Sequence, residues 1–352
     1  GAYHALQGLV YYGGDFVFFN DLSADNAVHT GTFHSYADAA GNQLRPENST
    51  VEGIWNDLYD GINRANQIIL QVPDVDDLSD AERDQIMGEA HFLRALHYHN
   101  LVRLWGDVPL RTAPVSGPEE ASQIERAPVA DVYAQILSDL EVARSGLSAG
   151  GDTRRATLGA AHALTARVQL YLENWSEAQT SADSVEAMGY TLATDYSSLF
   201  PATGGDTPED IFRALFTVVQ WNNLGWYYWA SSVGGRGEIA PQQELIDAYE
   251  AGDLRRDWTI YGGDVEGVAS GSKYPSAAGG ENPHVIRFAE VILIKAEALA
   301  RQNLLADAVD EYNRIRVRAD LVPHVLDTDV TSQQDVLEAS WQERRLELAL
   351  EG

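Results

Sequence analysis

Apolar residues recur at steps of three and four through most of the chain, which is the period of amphipathic α-helices. One helix is predicted to begin at Ser79-Asp-Ala-Glu82, a capping box in which each end residue satisfies a backbone donor of the other. Its apolar stripe reaches Leu104 and ends before Gly106 and Pro109. Further helices are predicted over 128–140, 158–172, 176–188, 285–302 and 305–319, and from a second capping box at 331–334 onward.

Two pairs of helices carry small residues at a fixed spacing. Ala166 and Ala178 lie twelve residues apart across a short turn, and Ala296 and Ala308 repeat the spacing 130 residues later. Tetratricopeptide-like hairpins use such a spacing for close helix contact, and Tyr312 stands where such repeats place a bulky residue. We therefore predict a mainly α fold with tetratricopeptide-like helical hairpins. The alternative is a coincidence among Ala-rich helices.

Two long segments interrupt this helical scaffold and are expected to carry the function. The scaffold spans about 51–190 and 285–352, and the insertions span about 11–50 and 191–284. Both insertions are rich in aromatic and polar residues, and the run 211–219 has the composition of a strand. Loops of this length are usually functional or disordered, and aromatic content argues against disorder. We predict a single domain with minor β structure and a ligand site in the insertions.

Composition excludes several classes of function. The chain has 53 Asp and Glu against 24 Lys and Arg, a net charge of −29. Such a surface repels phosphate backbones and anionic lipid, so no nucleic-acid partner is expected. Cysteine is absent, which removes thiol catalysis, disulfides and cysteine-bound metals. The acid excess and the scarcity of lysine fit a high-salt habitat, but a GC-rich genome would also favour arginine over lysine.

The ends of the chain suggest a fragment of a longer gene product. Residues 1–8 are neither basic nor part of an apolar run, so no signal peptide is recognised. No apolar stretch approaches the roughly 20 residues of a membrane-spanning helix.

The sequence contains no convincing catalytic motif. Residues 146–150 match G-x-S-x-G, but a predicted helix precedes the serine where a hydrolase elbow requires a strand. His91, His97 and His99 lack the four-residue spacing that presents two metal ligands on one helix face. We therefore expect no enzyme activity, no cofactor and no metal. A glycosidase remains an alternative, because the separation of carboxylate pairs is not visible in sequence.

The segment 221–229 holds five aromatic residues among nine. In an extended conformation Trp226 and Tyr228 point one way, and Tyr227 and Trp229 the other. Aromatic faces stack on sugar rings, while Asn and Arg side chains bond to hydroxyl groups. The alternative is a loop that its aromatic residues pin to the core. The predicted ligand-binding residues are Trp221, Asn222, Asn223, Trp226, Tyr228 and Arg236, with a weaker contribution from Tyr36, Asn42 and Arg45.

Four segments, taken in order, resemble the SusD/RagB family of surface nutrient-binding lipoproteins. The first and longest is Gly88-Glu-Ala-His-Phe-Leu-Arg-Ala-Leu-His-Tyr98, which continues through Leu101-Val-Arg-Leu-Trp-Gly-Asp-Val-Pro-Leu110. The others are Ile286-Arg-Phe-Ala-Glu-Val-Ile-Leu-Ile-Lys-Ala-Glu-Ala-Leu299, Asn313-Arg-Ile-Arg-Val-Arg-Ala319 and Glu343-Arg-Arg-Leu-Glu-Leu-Ala-Leu-Glu-Gly352. With the preceding helix, the resemblance extends over residues 51–352.

The resemblance implies a SusD-like helical fold and a protein without catalytic activity. It further implies a glycan-binding lid over a SusC-type TonB-dependent transporter, held by a lipidated cysteine on the cell-surface side of the outer membrane. The signal peptide, that cysteine and the family's aromatic-rich tail are not in this sequence. Ligand positions vary within the family, so the site residues proposed above rest on their own chemistry.

We therefore predict a cell-surface protein for polysaccharide utilisation that binds an oligosaccharide and passes it to the transporter. The alternative is a helical-repeat adaptor that binds a peptide or protein in a groove lined by Tyr171 and Tyr312. The sequence leaves the cargo open, including whether it is a glycan.

Overall fold

The computed structural model describes residues 1–115, 117, 125–202, 204–263 and 269–352. Helices make up 55% of the structure and strands 7%, which confirms the mainly α fold. The α-helices of these residues are α1 (Asp15–Ser23), α2 (His34–Ala40), α3 (Ser49–Gln71), α4 (Asp80–Trp105), α5 (Val129–Gly146), α6 (Leu158–Tyr171), α7 (Trp175–Glu186), α8 (Leu224–Tyr228), α9 (Gln243–Ala248), α10 (Leu254–Thr259), α11 (Phe288–Arg301), α12 (Leu305–Arg318) and α13 (Gln333–Leu348).

The strands are short and pair two by two. They are β1 (Ala27–His29), β2 (Val108–Pro109), β3 (Arg126–Ala127), β4 (Asp210–Arg213), β5 (Ile239–Pro241), β6 (Ile260–Tyr261), β7 (Ser270–Gly271) and β8 (His284–Arg287). The antiparallel pairs are β1–β5, β2–β3, β4–β8 and β6–β7. Two of these pairs, β1–β5 and β4–β8, join segments that are far apart in sequence.

The two predicted hairpins are present and pack on each other. Helices α6 and α7 form one hairpin, α11 and α12 form the other, and α11 also contacts α7 and α13. The alanines of the twelve-residue spacing are all fully buried, as close helix contact requires: Ala166, Ala178, Ala296 and Ala308. The turns are equivalent too, because Glu173 and Asn303, 130 residues apart, both have positive φ, 59° and 63°. Tyr312 is fully buried as well, which contradicts its predicted place in a binding groove.

The observed ends of two helices, α4 and the last one, lie at the predicted caps, except that the last helix starts one residue later. Helix α4 begins at the Ser79–Glu82 capping box and ends at Gly106, whose φ is 69°. The last helix begins one residue later than predicted, since its capping box joins Ser332 to Asp335. The Asp335 carboxylate accepts from the backbone N–H groups of Thr331 and Ser332, at 2.9 and 3.0 Å. A carboxylate at this position satisfies two donors, which fixes the start of the helix.

Two predicted boundaries, one in the late insertion and one at the start of the second scaffold segment, are wrong. The strand-like run 211–219 ends at Arg213, because Phe216 N then donates to the Asn282 side chain and Thr217 N closes a turn on Gln220 O. The predicted helix over 285–302 begins only at Phe288, since residues 284–287 form β8. Both segments are buried on both faces of the pair β4–β8, so neither shows the alternation that marks a half-buried strand.

A buried arginine holds the late insertion against the end of the chain. The Arg287 guanidinium, at the end of β8, donates to Glu209 at 3.0 Å, to Glu347 on α13 at 2.5 Å and to Glu351 at 2.8 Å. All four side chains lie almost wholly out of water. Burial alone would raise the pKa of Glu351, but Arg287 and Lys273 lower it to about 2. The carboxylate is therefore ionised at any pH near neutral.

The same network reaches α10 and α12. Arg255 donates to Asp253 and to Glu343 on α13, both at 2.7 Å, and Arg316 on α12 donates to the other oxygen of Glu343 at 2.6 Å. Burial would raise the pKa of Glu347, yet the surrounding arginines hold it well below its ordinary value. We call this set the buried ion network; its members are Glu209, Asp253, Arg255, Lys273, Arg287, Arg316, Arg318, Glu343, Glu347 and Glu351.

Replacing Arg287 by Met should destabilise the protein by about 3–5 kcal/mol, because the buried carboxylates of Glu209, Glu347 and Glu351 lose their shared partner. Urea unfolding measures the change. The control is Arg64→Met, which breaks an exposed pair with Asp60 and should change the free energy of unfolding by about 1 kcal/mol or less. Equal effects of the two substitutions would contradict a structural role for the network.

Candidate ligand-binding surface

The early and late insertions meet in one surface. Strand β1 pairs with β5 in the register Ala27 with Pro241 and His29 with Ile239. The pairing continues beyond the strands, since Thr30 N donates to Glu238 O at 2.9 Å. Segments about two hundred residues apart in sequence are thereby fixed side by side. The two insertions therefore lie next to each other, and that they form one ligand site stays a prediction.

Aromatic rings from both insertions pack where these segments meet. Phe33 and Tyr36 of the early insertion have ring centroids 5.3 Å apart. Tyr227 of the late insertion lies 6.0 Å from Phe33 and 5.6 Å from Phe18 of α1. Phe33 and Tyr227 are only partly buried, so their rings reach the surface of this cluster.

Arg236 lies across these two rings in a fixed orientation. Its guanidinium carbon is 4.4 Å from the Phe33 centroid and 5.8 Å from the Tyr227 centroid, within the range of a cation–π contact. Its Nε donates to Glu238 at 2.5 Å, while the arginine side chain remains 40% exposed. Burial would raise the pKa of Glu238, but the bonds from Arg236 and from Thr32 N lower it below its ordinary value. Glu238 is therefore a charged anchor for the arginine.

A glycine-rich loop brings Arg236 back onto α8. Arg236 N donates to Trp226 O at 2.7 Å. Gly235 passes so close to this helix that a Cβ would lie 2.1 Å from Trp229 O, and Gly237 has φ of 68°. Trp226, whose carbonyl oxygen accepts the bond from Arg236 N, is 39% exposed. We call Phe33, Trp226, Tyr227 and Arg236 the ring–arginine patch.

Three predicted ligand-binding residues are buried and are corrected to structural residues. Tyr228 is 1% exposed, and its hydroxyl donates to Asp21 at 2.8 Å. Asn222 is fully buried and bonds Glu281 O and Leu224 N. Tyr36 is 3% exposed and donates to Asp15 at 2.5 Å. Their polar groups are occupied by internal partners, so they have no surface to offer a ligand in this conformation.

The other predicted residues lie at or near the surface, in different places. Trp221 is 47% exposed beside the turn 217–220, and Asn223 is half-buried with its N–H bonded to Gly13 O. Asn42 and Arg45 are exposed in the segment after α2, where Arg45 pairs with Asp38 at 3.2 Å. Within the described residues, no hydrogen bond or ring contact joins Trp221, Asn42 or Arg45 to the patch. Trp226 and Arg236 are joined by a backbone hydrogen bond, and Asn223 O accepts from Tyr227 N at 2.9 Å. Tyr36 packs against Phe33 and Tyr227 but is buried.

The conformation of the aromatic segment differs from the extended one assumed in the sequence analysis. Residues Leu224–Tyr228 form the short helix α8, so Trp226, Tyr227 and Tyr228 point in three directions and not in two. Tyr228 faces the core, Tyr227 joins the ring cluster and Trp226 stays exposed. Phe33 and Glu238 were missed altogether. Phe33 is a lone aromatic residue before a short helix, and Glu238 is an acid two residues after Arg236. Neither pattern indicates a binding site in the sequence.

The patch presents partly exposed aromatic rings and one guanidinium group. No group of three or more His, Asp or Glu side chains that could hold a metal ion occurs in the residues that the structure describes. The carboxylate that anchors Arg236, Glu238, is 2% exposed and bonded to the arginine, so it is not placed to transfer a proton to a ligand. Among the described helices, none is both long and apolar enough to cross a bilayer.

Comparison with known protein families matches most of the chain. The model SusD-like_3, described as "Starch-binding associating with outer membrane", matches residues 12–170. The model SusD_RagB, described as "SusD family", matches residues 255–352. SusD-like protein P2 of Formosa agariphila is 28% identical over 365 residues, covering 87% of this chain and 70% of that protein. SusD-like protein P38 of the same organism is 26% identical over 411 residues, covering 100% and 80%.

Solved structures of SusD-like proteins have the same fold as this chain. A SusD superfamily protein from Bacteroides vulgatus superimposes with a TM-score of 0.88 at 22% identity, covering 99% of this chain and 84% of its own. A laminarin-binding SusD-like protein superimposes with a TM-score of 0.84 at 25% identity, covering 99% and 88%. These likenesses confirm the SusD-like fold predicted from the sequence.

The division between buried and exposed rings predicts losses of stability of different size. Tyr228→Phe leaves buried Asp21 without one of its donors and should lower the free energy of unfolding by about 1–3 kcal/mol. Trp226→Ala removes a ring that is already partly in water and should lower it by about 1 kcal/mol or less. Urea unfolding followed by circular dichroism measures both. A larger loss for Trp226→Ala would show that its ring belongs to the core.

Proposed function

The chain belongs to the SusD/RagB family, which is associated with the outer membrane, and from this premise we propose that it is a cell-surface glycan-binding protein. It binds an oligosaccharide without chemical change and delivers it to a SusC-type TonB-dependent transporter. A lipid anchor on the cell-surface side of the outer membrane would keep it beside that partner. Transporter and anchor are inferred from family membership.

The observation that carries the glycan proposal is the ring–arginine patch. Trp226, Phe33 and Tyr227 present partly exposed aromatic surface, and Arg236 is held over two of these rings by Glu238. Rings cover the apolar faces of sugars, and the guanidinium N–H groups donate to hydroxyl oxygens at fixed angles. Because Glu238 fixes Arg236 and the strand pair β1–β5 holds the two segments together, little conformational entropy of these parts is lost on binding.

The carboxyl groups near the patch support binding without catalysis. A glycosidase needs a pair of carboxyl groups on either side of the scissile bond, one of them protonated. Burial does raise the pKa of Asp15 and of Asp21 to about 6, but tyrosine hydroxyls occupy both, from Tyr36 and Tyr228. Glu238 is ionised and bonded to Arg236. These three carboxyl groups are thus occupied by side chains of the protein itself.

The net charge of the protein favours a neutral glycan over an acidic one as its ligand. At −29, the protein repels polyanions at long range, which slows the approach of uronic-acid or sulfated polysaccharides. Neutral glucans such as laminarin and starch meet no such barrier. Laminarin is also what the structural relative described above binds, and the matching family model is described as starch-binding.

Migration in native gels that contain laminarin, starch or polygalacturonate tests the proposal. We expect one neutral glucan to retard the wild-type protein, and Trp226→Ala to weaken that binding at least tenfold because the exposed stacking surface is removed. The matched control is Tyr171→Ala, which removes an exposed ring from the helical scaffold.

The possible outcomes test glycan binding and the position of the binding site separately. Retardation that Trp226→Ala leaves unchanged would keep glycan binding but place it elsewhere than the patch. A protein that no glycan retards would overturn the proposed function. Loss of binding in Tyr171→Ala alone would favour the helical scaffold as the binding surface.

A further inference from the structure

Glu238 lies buried beside Arg236 at the ring–arginine patch, and both of its oxygens are occupied. Oε1 accepts from Arg236 Nε at 2.5 Å, and Oε2 accepts from Thr32 N at 2.9 Å. Gly31 leaves the space that the carboxylate fills, since a Cβ there would lie 1.9 Å from Oε2. Because Glu238 is almost wholly out of water, a ligand at the patch meets the guanidinium and not the carboxylate.

The ion pair of Arg236 and Glu238 carries no net charge. Burial would raise the pKa of the Glu238 carboxyl group, but Arg236 and the backbone N–H groups of Thr32 and Phe33 lower it. The group is therefore ionised near neutral pH. His29 Nε2 lies 3.6 Å from the same carboxylate, but burial lowers the pKa of this histidine, so it is neutral at pH 7. The charge of the arginine is thus balanced by one buried carboxylate.

Two nitrogen atoms of Arg236 remain available to a ligand. Within the residues that the structure describes, its guanidinium makes one hydrogen bond, from Nε to Glu238. The N–H groups on Nη1 and Nη2 are left to donate to the hydroxyl oxygens of a sugar. A ligand carboxylate would also accept from them, but it would then share one guanidinium with Glu238. Two carboxylates so close to each other repel.

We propose that Glu238 is a specificity-determining residue, which makes the patch select uncharged sugars over uronic acids. This inference rests on the proposed function, because it concerns the same glycan site. A uronic acid must give up the hydration of its carboxylate on binding, and an arginine that is already paired offers little net attraction in return. A neutral sugar has no charge to desolvate and uses the two free nitrogen atoms.

This local effect can be separated from the overall charge of −29 by a matched control. Glu238→Gln and Asp60→Asn each remove one negative charge. Asp60 pairs with Arg64 on α3 at 2.6 Å, and the Arg64 side chain is 38% exposed, close to the 40% of Arg236. Both substitutions leave a partly exposed arginine without its paired carboxylate. Only Glu238→Gln does so among the rings of the patch.

Calorimetric titration with laminarihexaose, maltohexaose and hexagalacturonate at pH 7 tests the proposal. We expect the wild-type protein to bind one of the two neutral hexasaccharides at least tenfold more tightly than hexagalacturonate. Glu238→Gln should strengthen hexagalacturonate binding at least tenfold, because Arg236 then presents an unbalanced charge. Asp60→Asn should leave that affinity unchanged, and the double variant Glu238→Gln, Arg236→Gln should return it to the wild-type value.

A gain of binding that depends on Arg236 cannot arise from a loss of fold, and urea unfolding checks that each variant is folded. If Glu238→Gln does not fold, the smaller replacement Glu238→Ser carries the same prediction.

Two kinds of failure are distinguishable. A wild-type protein that binds neither neutral hexasaccharide would overturn the proposed function, and this inference with it. A wild-type protein that binds one of them, together with a Glu238→Gln variant that gains no affinity for hexagalacturonate, would overturn the role of Glu238 alone. An equal gain in Asp60→Asn, or a gain that persists without Arg236, would also overturn that role.

Discussion

The buried ion network is the constraint on which the rest of the structure depends. Removing a carboxylate or a guanidinium from water carries a large penalty, which only a close and fully bonded partner offsets. Arg287 meets this condition by bonding Glu209 of the late insertion, Glu347 of α13 and Glu351 at once. The long insertion is thereby fixed to the helical hairpins at a few positions where displacement would leave charges buried and unpaired.

This attachment has consequences at the ligand surface. The late insertion, once fixed, offers β5 as a partner for β1, and that pairing places Phe33 beside Tyr227 and Arg236. Tyr228 adds a second link, because its hydroxyl bonds Asp21, which also accepts from Leu350 N near the end of the chain. The patch is thus part of the same packed structure as the hairpins. A surface ordered before the ligand arrives loses little entropy on binding.

The sequence predicted the scaffold much better than the site, for a physical reason. Helix period, capping boxes and the alanine spacing are local signals, and they located both hairpins. The segments that resemble SusD/RagB proteins contain Arg287, Glu343 and Glu347, so the resemblance follows the buried ion network. The patch depends on contacts between distant segments. Nothing local in the sequence distinguishes Tyr228, which is buried, from Trp226, which is exposed, or marks Phe33 as their neighbour.

The most direct test of the central claim is a crystal structure of the protein with a bound gluco-oligosaccharide, compared with the ligand-free protein. The account predicts a sugar ring in van der Waals contact with Trp226, a hydroxyl bonded to Arg236, and backbone shifts of less than about 1 Å in residues 221–238. A sugar bound on the helical scaffold, or a patch that rearranges to form the site, would contradict it.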